Sequence, residues 1–133
     1  MYIHSASVKL YLSGKNVVGI GTVSGARCDV EISEANAVIN VLADNCSGIA
    51  SMAGDTGFKL SRAGMHITAE GANALAIGGF NGETRVVLVD SDSAIRLVTA
   101  KDNMSFIRSR KFEASGGRTR FIANDEELDY KSI

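Results

Sequence analysis

The chain has no proline, no tryptophan, only two cysteines and two histidines, and a formal net charge of −1. Each scarcity excludes something. No stretch reaches the roughly 18–20 consecutive apolar residues that a membrane-spanning helix needs. The opening MYIHSASVKLYLSG is not a basic leader followed by a long apolar run, so no signal peptide is expected and a cytoplasmic location is favoured. The near-neutral charge gives no general attraction to nucleic acid or to an acidic membrane. Cys28 and Cys46 lack the paired spacing of a metal site and read as two small apolar thiols in a core, in keeping with a reducing compartment. His4 and His66 stand far apart in sequence. No Ser/His/Asp or Cys/His constellation can be assembled around them, so no catalytic residue, metal ligand or cofactor is expected.

Glycine is what the chain has in excess, 14 of 133 residues, beside 45% hydrophobic residues. That hydrophobic content suits one domain with a real core. Interior glycine costs a helix about 1 kcal/mol against alanine, so a fold with many tight bends fits better than a helical bundle.

The glycines recur with a period. GIGTVSG begins at Gly19, GIASMAG at Gly48 and AIGGFNG at Ala76, in steps of 29 and 28 residues. Cys28, Thr56 and Thr84 keep the 28-residue step, as do Val30, Phe58 and Val86, then Ile32, Leu60 and Leu88. Ile39, Ile67 and Ile95 follow, and Ile20, Ile49 and Ile77 align with the opening segments. An Asn closes each unit: Asn16, Asn45, Asn73 and Asn103. A period of this length is the signature of a stacked repeat.

Within a unit, apolar residues alternate with polar ones, as where Val30 and Ile32 flank Glu31 or Ile39 and Val41 flank Asn40. That is strand patterning. About three short strands are expected per unit, with bends at Gly25, Gly54 and Gly82, around Ser33 to Asn36, and at the Asn row. There Asn would tolerate a left-handed backbone and bond turn amides. An antiparallel sandwich explains the alternation but not the return of the same side-chain type every 28 residues. A coil explains both, because residues one turn apart stack about 4.8 Å apart. The expected fold is therefore all-β, a parallel β-helix, right-handed by the usual chirality of parallel connections. Stacked Asn would form an amide ladder, and Glu31 would fall one turn from Lys59.

Residues 1–103 are read as solenoid turns, with clear repeats at 17–45, 46–73 and 74–103. Val8, Leu10 and Leu12 alternate as the last strand of a preceding partial turn. After Asn103 the period is lost while Phe106, Phe112, Phe121 and Ile122 remain, so 104–133 reads as an irregular C-terminal cap over the last edge. Its charge is split. Arg108, Arg110, Lys111, Arg118 and Arg120 precede Asp125, Glu126, Glu127 and Asp129, which suggests halves that neutralise each other. The N-terminal edge has no such cover and is expected to be open or paired.

At the GIG-type segments the chain resembles right-handed β-helix repeats of bacterial proteins and, more broadly, the pectate-lyase-like superfamily. The resemblance spans residues 8–103. It implies the coil, and it leaves function open, since that fold carries lyases, hydrolases, carbohydrate-binding modules, adhesins and spacers.

Two readings of function follow. The first is a non-catalytic module presenting a rigid sheet face for binding or assembly, as part of a larger bacterial protein, with itself or a fused domain as partner. The second is a polysaccharide-binding or polysaccharide-cleaving protein. Candidate binding residues are Thr22, Ser51 and Asn81 on an exposed face of the GIG strand, Arg85, and the pair Asp90 and Asp92 in VDSDS. That pair alone supplies few of the 6 to 8 oxygens that Ca²⁺ takes. The Gly-rich segments lack the Gly-Lys-Ser/Thr ending of a phosphate loop. Self-association is expected at the N-terminal end or the flat outer sheet rather than at the C-terminal cap.

Overall fold

A computed structural model describes residues 1–100, 106–107 and 111–128. Twelve strands account for its regular structure: β1 Tyr2–His4, β2 Ser7–Thr22, β3 Cys28–Ser33, β4 Asn36–Ser51, β5 Thr56–Ser61, β6 Gly64–Glu70, β7 Asn73–Ile77, β8 Thr84–Val89, β9 Asp92–Val98, β10 Lys111–Ser115, β11 Thr119–Ala123 and β12 Glu126–Leu128. The fold is a parallel β-solenoid, and the repeat is its coil.

The coil has three sides. On the first, β1, β3, β5, β8 and β10 lie in that order, with Cys28 opposite Thr56 and Thr56 opposite Thr84. On the second, the leading parts of β2 and β4 pair with β6, β9 and β11. The third is made by the trailing parts of β2 and β4, by β7, and by a bridge from Ile77 to Ile107. Side chains of one repeat position thus form columns. Ile20, Ile49 and Ile77 stack in one, and Ile39, Ile67 and Ile95 in another. All six are 5% exposed or less. Burying such a side chain stabilises by about 1.5–3 kcal/mol, and alternation along each strand puts one in the core at every second position.

Two of the three bends differ in kind from expectation. In the first two coils the backbone stays extended through the Asn row, β2 and β4 running unbroken through Asn16 and Asn45, and only the third coil bends there, at Gly71–Ala72 just before Asn73. A left-handed residue recurs instead at the second bend, at Ser5, Glu34, Arg62 and Asp90, with φ of 50°, 50°, 47° and 47°, and outside it Asn124 and Asp125 take this conformation in the turn before β12. Non-glycine residues pay for that conformation. At the second bend each left-handed N–H donates to the next coil: Glu34 to the Ser61 carbonyl at 3.0 Å, Arg62 to Val89 at 2.9 Å, Asp90 to Ser115 at 2.8 Å.

The segment beyond residue 103 is more regular than its sequence suggests. β10 pairs in parallel with β8 and β11 with β9, with Lys111 opposite Arg85 and Thr119 opposite Ser93. This coil advances by 26 residues rather than 28, which hides it from a search at the longer period. After it, β12 turns back antiparallel on β11. Three phenylalanines fill the coil. Phe112 stacks over Val86, Phe121 over Ile95, and Phe106 precedes the residue bridged to Ile77. Phe121 meets the other two edge to face, at centroid distances of 5.4 and 6.0 Å, and Phe106 and Phe121 are buried.

Candidate functional site

The Asn row forms the expected ladder. Asn45 donates its Nδ2–H to Asn16 Oδ1 at 2.9 Å, and Asn73 donates to Asn45 Oδ1 at 2.9 Å. Asn103 lies outside the described residues. The ladder has a direction, since every amide donates toward the N-terminal end. Asn16 Nδ2 is therefore the terminal donor, with no acceptor among the described residues.

The other candidate residues do not converge. Ser51 is fully buried. Its N–H donates to Thr56 Oγ1 at 2.8 Å, and its hydroxyl donates to the carbonyls of Ser24 and Ala26. Its expected place on an exposed face is corrected: the first bend of the preceding coil folds over it, and Ala50, Leu75 and Ile77 nearby are buried as well. Thr22 is half-buried and accepts the Ser24 N–H at 3.1 Å. Asn81 is exposed on the following bend. Asp90 occupies the left-handed bend position, and Asp92 Oδ1 accepts the Arg118 N–H at 2.9 Å. Both aspartates thus face the last coil and line a shallow groove with Glu34, Asn36, Arg62 and Gly64. Among the described residues no three His, Cys, Asp or Glu side chains stand together as a metal-holding group, and no helix is long and apolar enough to cross a membrane.

Arg85 is exposed on the outer face of the first side. It lies in the row Asp29, Gly57, Arg85 and Lys111, beside the row Tyr2, Glu31, Lys59, Val87 and Glu113. Gly57 leaves the floor of a depression of about 670 Å³. Asp29 is engaged by Arg27 through two hydrogen bonds of 2.9 and 3.0 Å. That hydrogen bond, with the charge behind it, raises the Arg27 pKa.

The ends of the solenoid are unlike. At the C-terminal end, Arg120 pairs with Glu127 through two contacts of 3.1 Å within the last segment, and Arg96 of β9 pairs with Asp125 across to it. The hydrogen bond from Arg120 holds the Glu127 carboxyl below its ordinary pKa. Arg108, Arg110 and Asp129 lie outside the described residues. At the N-terminal end, β2 has a neighbour among the described residues, β4, on one side only. Its inward residues Val8, Leu10 and Leu12 lie over Ala37, Ile39 and Val41. Leu12 is 37% exposed where Val41, one coil further in, is 2% exposed. Met1, Tyr2, Tyr11, Val23 and Leu42 are exposed too, all in the first two coils. Sequence reasoning located this edge and its inward residues Val8, Leu10 and Leu12, but not the exposed Met1, Tyr2, Tyr11, Val23 and Leu42 beside it. The available signal was the alternation of Val8, Leu10 and Leu12 without a segment to cover them.

The cysteines are free thiols. Burial raises the pKa of both, and Cys46 donates its Sγ–H to the Glu70 carbonyl at 3.5 Å.

No protein-family model matches this chain, and neither a curated protein nor a solved structure is found similar to it.

Proposed function

We propose that the chain is a non-catalytic solenoid module that binds or assembles through its N-terminal end. The observation that carries this reading is the contrast between the ends. One is filled by three phenylalanines and crossed by β12. The other leaves a 16-residue edge strand and its inward aliphatic column half-exposed. An open edge is a template for another strand, and exposed apolar side chains gathered at one end mark an interaction surface. Hydrogen exchange of the β2 amides tests the reading, across a concentration series and with strand-forming peptides of either charge. Protection of residues 8–18 by another copy or by any peptide is expected. A chain that stays monomeric at millimolar concentration, with β2 unprotected throughout, overturns it.

A second reading, polysaccharide recognition in the manner of the pectate-lyase-like superfamily, is favoured by the depression over Gly57. It offers Tyr2 as an aromatic platform beside the cationic Lys59 and Arg85. Titration with polygalacturonate and with a neutral glucan tests it. Binding of the first that disappears in Arg85→Ala is the expected result, and indifference to both removes this reading.

A further inference from the structure

The charge of the molecule is divided unevenly along the coil axis. Residues 1–28 hold Lys9, Lys15 and Arg27 and no Asp or Glu, while the rest of the chain holds 11 basic and all 15 acidic residues. The first coil is thus +3 on a body of −4. Arg27 is occupied by Asp29. Lys9 and Lys15 are exposed on the open strand itself and have no ion-pair partner among the described residues. Beside Lys15, Asn16 presents the terminal donor of the amide ladder. Three groups along one edge strand therefore have room for acceptors: the first coil carries no carboxylate, and Asp44, opposite Lys15 between the pairs Gly14–Ala43 and Asn16–Asn45, is the nearest in register without forming an ion pair to it.

From this we infer that the N-terminal edge takes an extended polypeptide segment of alternating apolar and acidic residues, rather than a second copy of this chain. The inference rests on the docking reading above and names its partner. A strand added to β2 places alternate side chains over Val8, Leu10 and Leu12, which calls for apolar residues there. The intervening side chains fall beside Lys9 and Tyr11 on the outer face. Directly opposed cross-strand side chains approach to about 5 Å, close enough for charge to select. At the corner, a carboxylate or amide oxygen in the partner extends the ladder by accepting from Asn16 Nδ2. Two copies meeting edge to edge bring lysines to both sides and no carboxylate to either. Lysine on an edge strand is the usual device against such pairing, and repulsion of the wrong partner is half of specificity.

The test uses the whole chain and two labelled peptides, Ac-(Val-Glu)5-NH2 and Ac-(Val-Lys)5-NH2, read by fluorescence anisotropy and by exchange of the β2 amides. The acidic peptide is expected to bind about tenfold or more tightly than the basic one. That margin is expected to shrink as salt shortens the Debye length from about 10 Å at 0.1 M to about 3 Å at 1 M. In the double variant Lys9→Glu and Lys15→Glu the preference is expected to invert. A milder pair, Lys9→Gln and Lys15→Gln, is expected to lose the preference while keeping the far-UV spectrum of the parent. Equal binding of both peptides with β2 protected overturns the charge selection and leaves the docking reading standing. Dimerisation through β2 with neither peptide bound overturns the inference in favour of a second copy. No binding and no association overturns both.

Discussion

Gly48 shows how closely successive coils approach. A Cβ built there would lie 2.6 Å from the Ala76 carbonyl oxygen and 2.6 Å from Ile67 Cγ2. Gly19 meets the same obstruction at Gly48 and Ile39. The GIG-type segments are glycine because the backbone of one coil leans on the next, not because the chain needs a left-handed residue at these two positions. The Asn ladder works at the same scale. Asn45 sits in the middle and makes two amide bonds, whereas Asn16 makes one. A typical hydrogen bond contributes about 0.5–1.5 kcal/mol net. Asn45→Ala is therefore expected to cost about 1–3 kcal/mol and Asn16→Ala about half as much. Urea denaturation of both variants checks this, and equal losses would show that the column acts through corner packing instead of its amides.

Among the elements, the coil at residues 111–123 is the one the sequence concealed. Its strands carry the alternation, but its turn is two residues short. Its interior holds three phenylalanines where the residues directly beneath are aliphatic, Val86 under Phe112 and Ile95 under Phe121, and Phe58 two coils back is the one earlier aromatic in these two columns. Phe121 ties it together by meeting Phe106 and Phe112 at once. Phe121→Ala is expected to destabilise by about 3–5 kcal/mol, the usual cost of emptying a buried phenylalanine site. Thermal unfolding with hydrogen exchange on β9 checks both the loss and its location. A loss below about 1 kcal/mol would mean that the end coil is held by backbone pairing alone. The second bend was legible in position and not in kind. Glu34 and Arg62 are not residue types that announce a left-handed conformation, only Asp90 is of a type that tolerates it, and the compensating hydrogen bonds come from the neighbouring coil. Ser51 was misplaced for a related reason: small polar residues suit an exposed face and also suit a carbonyl-lined interior.

For the whole molecule, the 28-residue period made the stacking readable, because a solenoid repeats its environment as it repeats its sequence. The ends break the repeat, and there the sequence is least informative and the surface most distinctive. Neighbouring coils hold one another, and distant ones do not touch. The molecule is therefore a one-dimensional stack with a weak terminus and a strong one. Its mechanics follow from that. Tension applied between the N-terminus and the C-terminal coil first strips the short β1 from β3 and then peels the half-buried β2 from β4 one bond after another. Once that coil is gone, the next becomes the exposed terminus. Extension is expected to proceed in steps of about 90–100 Å, the contour length of a 28-residue coil at about 3.3–3.6 Å per residue. The Phe-filled coil is expected to yield last. Optical-tweezer traces with handles at the two ends would show a staircase, and a single rupture of the full length would mean that the coils fail together. A partner strand seated on β2 would then act as a mechanical clasp, raising the force of the first step and leaving the later ones unchanged.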